Sequence, residues 1–267
     1  MWLFVWDSEP SKIFVGDTPI SKVFVWDKQV RPATPVELPY LCFTANTAWS
    51  TVQLTKTWSP TVVTLETSTD WNTWTTYTFW DTITLSNIGD KVYWRNTSGT
   101  DTWFSTGSSN LYQFVMSGSV AWSGDVNYLL NKNSTTTLSS DHCYRNLFYG
   151  CAALTSAPSL PATTLANYCY YNMFYWCKSL TTIPSLPATT LTSNCYYQMF
   201  YWCSLIKISS SWSSAYPTEY RIPSSWTWTV STNSLYMMFR NTWWTFKATP
   251  TINKTYYANL NNTVIDP

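Results

Sequence analysis

Residues 151–176 and 177–202 spell nearly the same sentence twice. CAALTSAPSLPATTLANYCYYNMFYW aligns with CKSLTTIPSLPATTLTSNCYYQMFYW, and 18 of 26 positions are identical. A partial unit, CYRNLFYG, precedes them from Cys143, and a degenerate one follows through Met238 and Phe239. A unit of 26 residues cannot bury a core of its own, whereas stacked units share a continuous one. The repeat therefore predicts a solenoid, with Cys143, Cys169 and Cys195 in one buried column and Cys151, Cys177 and Cys203 in another.

Within a unit, Cys169, Met173 and Cys177 fall at i, i+4 and i+8, the stripe of a short helix. SLTTIPSL then reads as the strand side, with Leu180, Ile183 and Leu186 turned inward. Pro184 and Pro187 limit pairing there to short ladders. A second repeat, of period ten, opens the chain: FVWD at Phe4–Asp7, FVGD at Phe14–Asp17 and FVWD at Phe24–Asp27. Its short β-branched or aromatic runs alternate with turn residues, as in a β-meander. The expected architecture is mainly β with short helices: a β-meander at 1–34, a β-sandwich-like domain at 35–109, and the solenoid at 110–267. YQFVMSGSVAWSGDVNYLL starts the solenoid and caps its core, and the stretch from Ala215 closes it.

CYYNMFYWCKSLTTIPSLPATTL resembles the BspA-type leucine-rich repeats of bacterial surface proteins, which carry Met-Phe-x-Gly-Cys-x-x-Leu followed by Leu-Pro-Ala-Thr-Thr-Leu. IPSSWTWTVSTNSLYMMFRNTWWTFKATPTINKTYY is similar to the segment that often closes such arrays. TLETSTDWNTWTTYTFWDTITLSNIGDKVYWRN resembles the β-domain that often precedes them. The resemblance implies a leucine-rich-repeat-type solenoid used for adhesion or protein binding, and it names no ligand.

The repeats share one anomaly. The residue before the second Cys of the long unit is Gly150, Trp176 and Trp202, and the third position of FVxD is Trp6, Gly16 and Trp26. A turn that needs the φ > 0 of glycine has no place for an indole. The chain holds 18 Trp against 7 Gly, the reverse of ordinary usage. One variant genetic code reads UGA as Trp and another reads it as Gly, so translation with the wrong table would turn UGA glycines into tryptophans. STDWNTW would then be STDGNTW, an Asp-Gly hairpin turn, and SSWTWT and NTWWTF would be SSGTGT and NTGGTF. On this reading Trp6, Trp26, Trp71, Trp176, Trp202, Trp226, Trp228, Trp243 and Trp244 stand for glycines, while Trp74 and Trp94 are genuine. The competing reading is a Trp-rich protein whose repeats have diverged.

Charge excludes some partners. Charged residues make up 11% of the chain and the net charge is +1, with no Lys/Arg cluster, which argues against nucleic acid or an anionic membrane surface. No apolar run reaches transmembrane length, and the N-terminus shows no signal peptide. The six repeat cysteines are eight apart within a unit and lack a His, so they read as small buried hydrophobes and not as metal ligands. An odd total of seven cysteines speaks against a fully paired disulfide framework. His142, the one histidine, lies beside Asp141 without a nucleophile signature. Asp125, Asn127, Asn131 and Asn133 do not have calcium-loop spacing. No metal, cofactor or catalytic residue is expected.

Tyr170, Tyr171 and Tyr175 recur as Tyr196, Tyr197 and Tyr201, so they form ladders, and an exposed ladder is an amphipathic binding surface. The expected function is surface adhesion or ligand binding without catalysis, at the cell surface or outside the cell. The partner would be a protein or glycan on a host or neighbouring cell. Alternatives are a virion-associated phage tail receptor-binding protein, favoured by the missing signal peptide, and a carbohydrate-binding module built on the tryptophans.

Overall fold

A computed structural model of the chain describes residues 14–15, 18–19, 24–25, 28–29, 40–57, 63–100, 104–225, 229–242 and 249–259. The chain divides into two units, 1–39 and 40–267. In the first, β1 (Phe14–Val15) pairs antiparallel with β2 (Thr18–Pro19), and β3 (Phe24–Val25) with β4 (Lys28–Gln29). Each ladder spans two residues, and the two are separate among the described residues, repeating at the ten-residue period of the sequence.

The second unit is mainly β, built from several antiparallel sheets, none of them closed. Its strands are β5 (Leu41–Ala45), β6 (Ser50–Lys56), β7 (Leu65–Ser68), β8 (Thr75–Thr76), β9 (Thr82–Leu85), β10 (Lys91–Asn96), β11 (Tyr112–Ser117) and β12 (Val120–Ser123). They are followed by β13 (Thr190–Leu191), β14 (Ile208–Ser209), β15 (Thr218–Arg221), β16 (Thr229–Val230) and β17 (Thr255–Ala258). The first eight form two sheets, ordered β12-β5-β10-β7-β8 and β11-β6-β9. Alternation along β10, where Val92, Trp94 and Asn96 are buried, turns one face inward. Aromatic edges join the sheets: Phe114 of β11 packs against Phe43 of β5 at 5.0 Å and Trp94 of β10 at 5.2 Å.

β11 and β12 lie beyond residue 109, yet they complete these sheets by pairing with β6 and β5. The same segment begins the repeat stack. The N–H of Phe114 donates to the Leu147 carbonyl at 2.8 Å, and that of Val120 to Ala153 at 2.8 Å. The inner sheet faces and the repeat side chains thus share one apolar cluster.

The repeat units align without a helix. Four segments lie in register: 143–151, 169–177, 195–203 and 234–242. Alternate residues bond along the stack, as Tyr144 N–H to Cys169 O (2.7 Å), Tyr170 to Cys195 (2.9 Å) and Tyr196 to Ser234 (2.9 Å). The residues between them bond within their own segment, three back, as Cys151 to Phe148 (3.0 Å) and Cys177 to Phe174 (3.1 Å). Every fourth residue takes φ > 0, at His142 and Asn146, then Tyr168, Asn172 and Trp176, then Asn194, Gln198 and Trp202, then Asn233, Met237 and Asn241. This corrects the expected short helix. A run of tight turns four residues long also puts i, i+4 and i+8 on one face, so the apolar stripe is kept while the α backbone is not. Nor does SLTTIPSL form a strand, although Leu180, Ile183 and Leu186 are buried. It meets its neighbours through isolated backbone bonds, Thr181 N–H to Thr155 O at 3.1 Å and Ser224 N–H to Leu186 O at 2.9 Å. The single helical element among the described residues is a 3-10 turn at Val126–Leu129.

Both cysteine columns are buried. Between them run a phenylalanine column (Phe148, Phe174, Phe200, Phe239), with neighbouring rings 5.4–5.6 Å apart, and a column of Leu147, Met173, Met199 and Met238. In the second cysteine column each thiol reaches back to the unit before it: Cys151 Sγ to Phe114 O (3.0 Å), Cys177 to Phe148 (3.0 Å) and Cys203 to Phe174 (2.9 Å). These bonds suit protonated thiols, and all seven cysteines are free. At the far end the order β14-β17-β15 makes a small antiparallel sheet, whose Tyr220 donates its hydroxyl to Pro184 O at 3.0 Å.

Candidate tyrosine ladder on the repeat stack

The turn column decides which tyrosines reach solvent. The residue directly after the first cysteine of each unit points into the core. Tyr144, Tyr170 and Tyr196 stack there 5.8 and 5.6 Å apart, and Tyr170 and Tyr196 are each 1% exposed. Two of the six tyrosines expected on a binding surface are therefore core residues. Their neighbours one and five places on take the opposite side of the turn and are partly exposed.

Those neighbours form two rows. One is Tyr149, Tyr175 and Tyr201, with centroids 5.0 and 4.8 Å apart and planes within 6° of parallel. The other is Tyr171, Tyr197 and Tyr236, at 4.6 and 5.1 Å. These spacings match the distance between hydrogen-bonded strands, because one rung of the stack sets both. Arg145 lies over the Tyr171 ring at 4.3 Å and ends the second row. His142 stacks on Tyr168 at 4.6 Å, next to the same row. Trp176 and Trp202 flank the first row, 5.6 Å from Tyr175 and 6.2 Å from Tyr201.

Stacking consumes the ring faces, so solvent meets ring edges and hydroxyls. Desolvation, and then the proximity of neighbouring phenols, pushes Tyr175 and Tyr197 up from the ordinary tyrosine value. Both remain neutral hydrogen-bonding groups at physiological pH.

The register adds Arg145, Tyr149 and Tyr236 to the expected set. The signal was present in the sequence: CYRNLFYG and SLYMMFRN align with CYYNMFYW, placing Arg145 at the Tyr171 position and Tyr149 at the Tyr175 position.

His142 is engaged in the wall of this surface. Its Nδ1 lies 3.3 Å from an Arg145 guanidinium nitrogen, and burial followed by the Arg145 charge lowers its pKa. Asp125 caps the 3-10 turn by accepting from the Asn127 N–H at 2.8 Å and from the Ser134 hydroxyl. Asn127 accepts from the Tyr144 hydroxyl at 3.0 Å, and Asn131 from the Asn133 N–H at 3.0 Å. These four polar residues brace a loop. Among the described residues no group of three or more His, Cys, Asp or Glu could hold a metal ion, and no helix is long and apolar enough to cross a membrane.

No family model, no curated protein and no solved structure matches the chain.

Proposed function

We propose that this chain is a non-catalytic adhesive repeat protein, a leucine-rich-repeat-type solenoid of the BspA kind, that binds a protein or glycan on the surface of another cell. The observation that carries the reading is the pair of parallel tyrosine rows held at one spacing across the stack. Tyrosine brings a large, rigid contact area together with a hydrogen-bonding tip, the combination enriched at the energetic centres of interfaces. Stacking has already fixed these rings, so little side-chain freedom remains to be lost on binding. The polar tips of these tyrosines suit amide or sugar hydroxyl groups.

The test is a full-length chain carrying Tyr171→Phe, Tyr175→Phe, Tyr197→Phe and Tyr201→Phe. The rings and their stacking survive this change, and the hydroxyls do not. Binding of labelled protein to whole cells, and to glycan and surface-protein arrays, should fall at least tenfold while the unfolding midpoint holds. Binding equal to the parent chain would refute the assignment of the ladder. A His142→Ala chain should bind as the parent does.

A second reading has its own observation. Trp49, Trp80 and Trp212 are exposed by 72%, 57% and 64%, and a flat indole can stack on a sugar ring. On that reading the chain is a carbohydrate-binding module, and its Trp→Gly variants lose glycan binding.

A further inference from the structure

Nine tryptophans fall among the described residues, and all but Trp212, which is 64% exposed without φ > 0, divide by backbone and by burial together. Five have φ > 0: Trp49 at 60°, Trp71 at 59°, Trp80 at 77°, Trp176 at 64° and Trp202 at 62°. All five are exposed. Trp74, Trp94, Trp122 and Trp212 do not share that conformation. Trp94 is fully buried and Trp122 nearly so. Trp122 packs 4.3 Å from Phe148, and Trp74 lies 5.1 Å from Tyr40 under the Arg95 guanidinium.

The left-handed region strains any residue with a Cβ, and asparagine bears it better than a bulky residue does. Among the described residues, six of the sixteen non-glycine residues there are asparagines, as expected, and five are tryptophans, which is not. The turn column forces a few other side chains into the region, Tyr168, Gln198 and Met237 among them, so column membership alone does not single out indoles.

Two further observations do. One is the column position occupied by Gly150, Trp176, Trp202 and Asn241, with φ of 75°, 64°, 62° and 61°. Glycine and asparagine are the natural residues for such a site, and a Cβ built on Gly150 would meet nothing within 4 Å. The indoles at 176 and 202 accordingly lie outside the core, 44% and 42% exposed, against Tyr175 and Tyr201.

The other is that Trp49, Trp71 and Trp80 lie outside the column, each between two strands. Trp71 follows Asp70, whose carboxylate accepts the N–H groups of Asn72 (2.9 Å) and Thr73 (2.7 Å). That is an aspartate-capped turn whose next residue needs φ > 0, the place of glycine in an Asp-Gly turn.

We infer that residues 49, 71, 80, 176 and 202 are glycines in the protein that the gene encodes, the indoles being UGA codons read as tryptophan, whereas Trp74, Trp94 and Trp122 are genuine. Trp6, Trp26, Trp226, Trp228, Trp243 and Trp244, assigned to the same class from the sequence, lie outside the described residues. The inference has a consequence for the candidate ladder. Without Trp176 and Trp202, the row of Tyr149, Tyr175 and Tyr201 loses its indole flank, and tyrosine alone supplies the aromatic character of that face.

The decisive experiment compares three full-length chains: the sequence as it stands, a fivefold Trp→Gly chain at 49, 71, 80, 176 and 202, and a fivefold Trp→Ala chain at the same positions. Removal of an exposed indole is common to both variants, and only glycine relieves the left-handed strain. The glycine chain should unfold at a clearly higher temperature than both others. A glycine chain no more stable than the alanine chain would overturn the inference. A second readout is independent of folding: peptide mass mapping of protein from its natural source should read glycine at 176 and 202, and tryptophan there would overturn it. Neither readout involves ligand binding, so failure of the tyrosine reading would leave both unchanged.

Discussion

Tyr171 and Tyr197 lie face to face, centroids 4.6 Å apart and planes 2° from parallel, although 26 residues separate them in the chain. Tyr236 continues the row from Tyr197 at 5.1 Å. Tyr197→Ala removes both contacts. At about 0.5–1.5 kcal/mol per aromatic pair, it should cost about 1–3 kcal/mol. Tyr197→Phe keeps the stack and should fall within about 0.5 kcal/mol of the parent. Denaturant titration of the two variants separates the stabilising ring from the recognising hydroxyl.

Phe174 occupies the centre of the buried phenylalanine column, 5.6 Å from Phe148 and 5.4 Å from Phe200. Phe174→Ala opens a cavity between two units and should cost about 3–5 kcal/mol. Because each unit rests on its neighbours, the loss should appear as faster amide exchange in both 143–151 and 195–203. Exchange confined to 169–177 would contradict a shared core.

Alkaline pH should weaken the fold. Burial pushes the Cys195 thiol from its ordinary 9.0 up to about 12 and raises Cys151, Cys169, Cys177 and Cys203 as well. The folded state holds these protons where the unfolded state releases them. Their contribution is thus fully present below about pH 9 and is lost as pH rises from there toward about 12. Unfolding midpoints measured from pH 7 to 11 should be flat at first and then fall. A thiol reagent at pH 8 should leave the native cysteines untouched and find seven once the chain is denatured, since all seven are free and buried.

The repeat reached this architecture legibly because identity at 18 of 26 positions fixes which residues are equivalent. Both cysteine columns follow from it. The backbone between the cysteines did not, because a four-residue turn and an α-helix place Cys169, Met173 and Cys177 on one face alike. That ambiguity carried over to the tyrosines. Tyr170 and Tyr171 are adjacent and of one type, and only the turn geometry sends the first inward and the second outward. The expected boundary at 109 falls inside the sheets, because strand pairing carries them on to Ser123. Trp122 shows the converse: no repeat partner marks it, and its place became visible only through the rings of Phe43 and Phe148.

The alternation of bonds in the turn column sets a rule of parity. Each residue whose N–H runs along the stack is followed directly by one whose N–H closes a turn. Inserting or deleting a single residue between Cys169 and Cys177 would exchange the two roles and turn the buried side chains outward. The opposite side of each unit has no such constraint. There the last two units are offset by 39 residues, as in Tyr196 to Leu235, where the earlier ones are offset by 26, and the columns remain in step. Length can therefore drift on one side of this molecule and not on the other. Chains of this design should gain new surface by lengthening the segment after the second cysteine, at no cost to the rows of tyrosines on the far side.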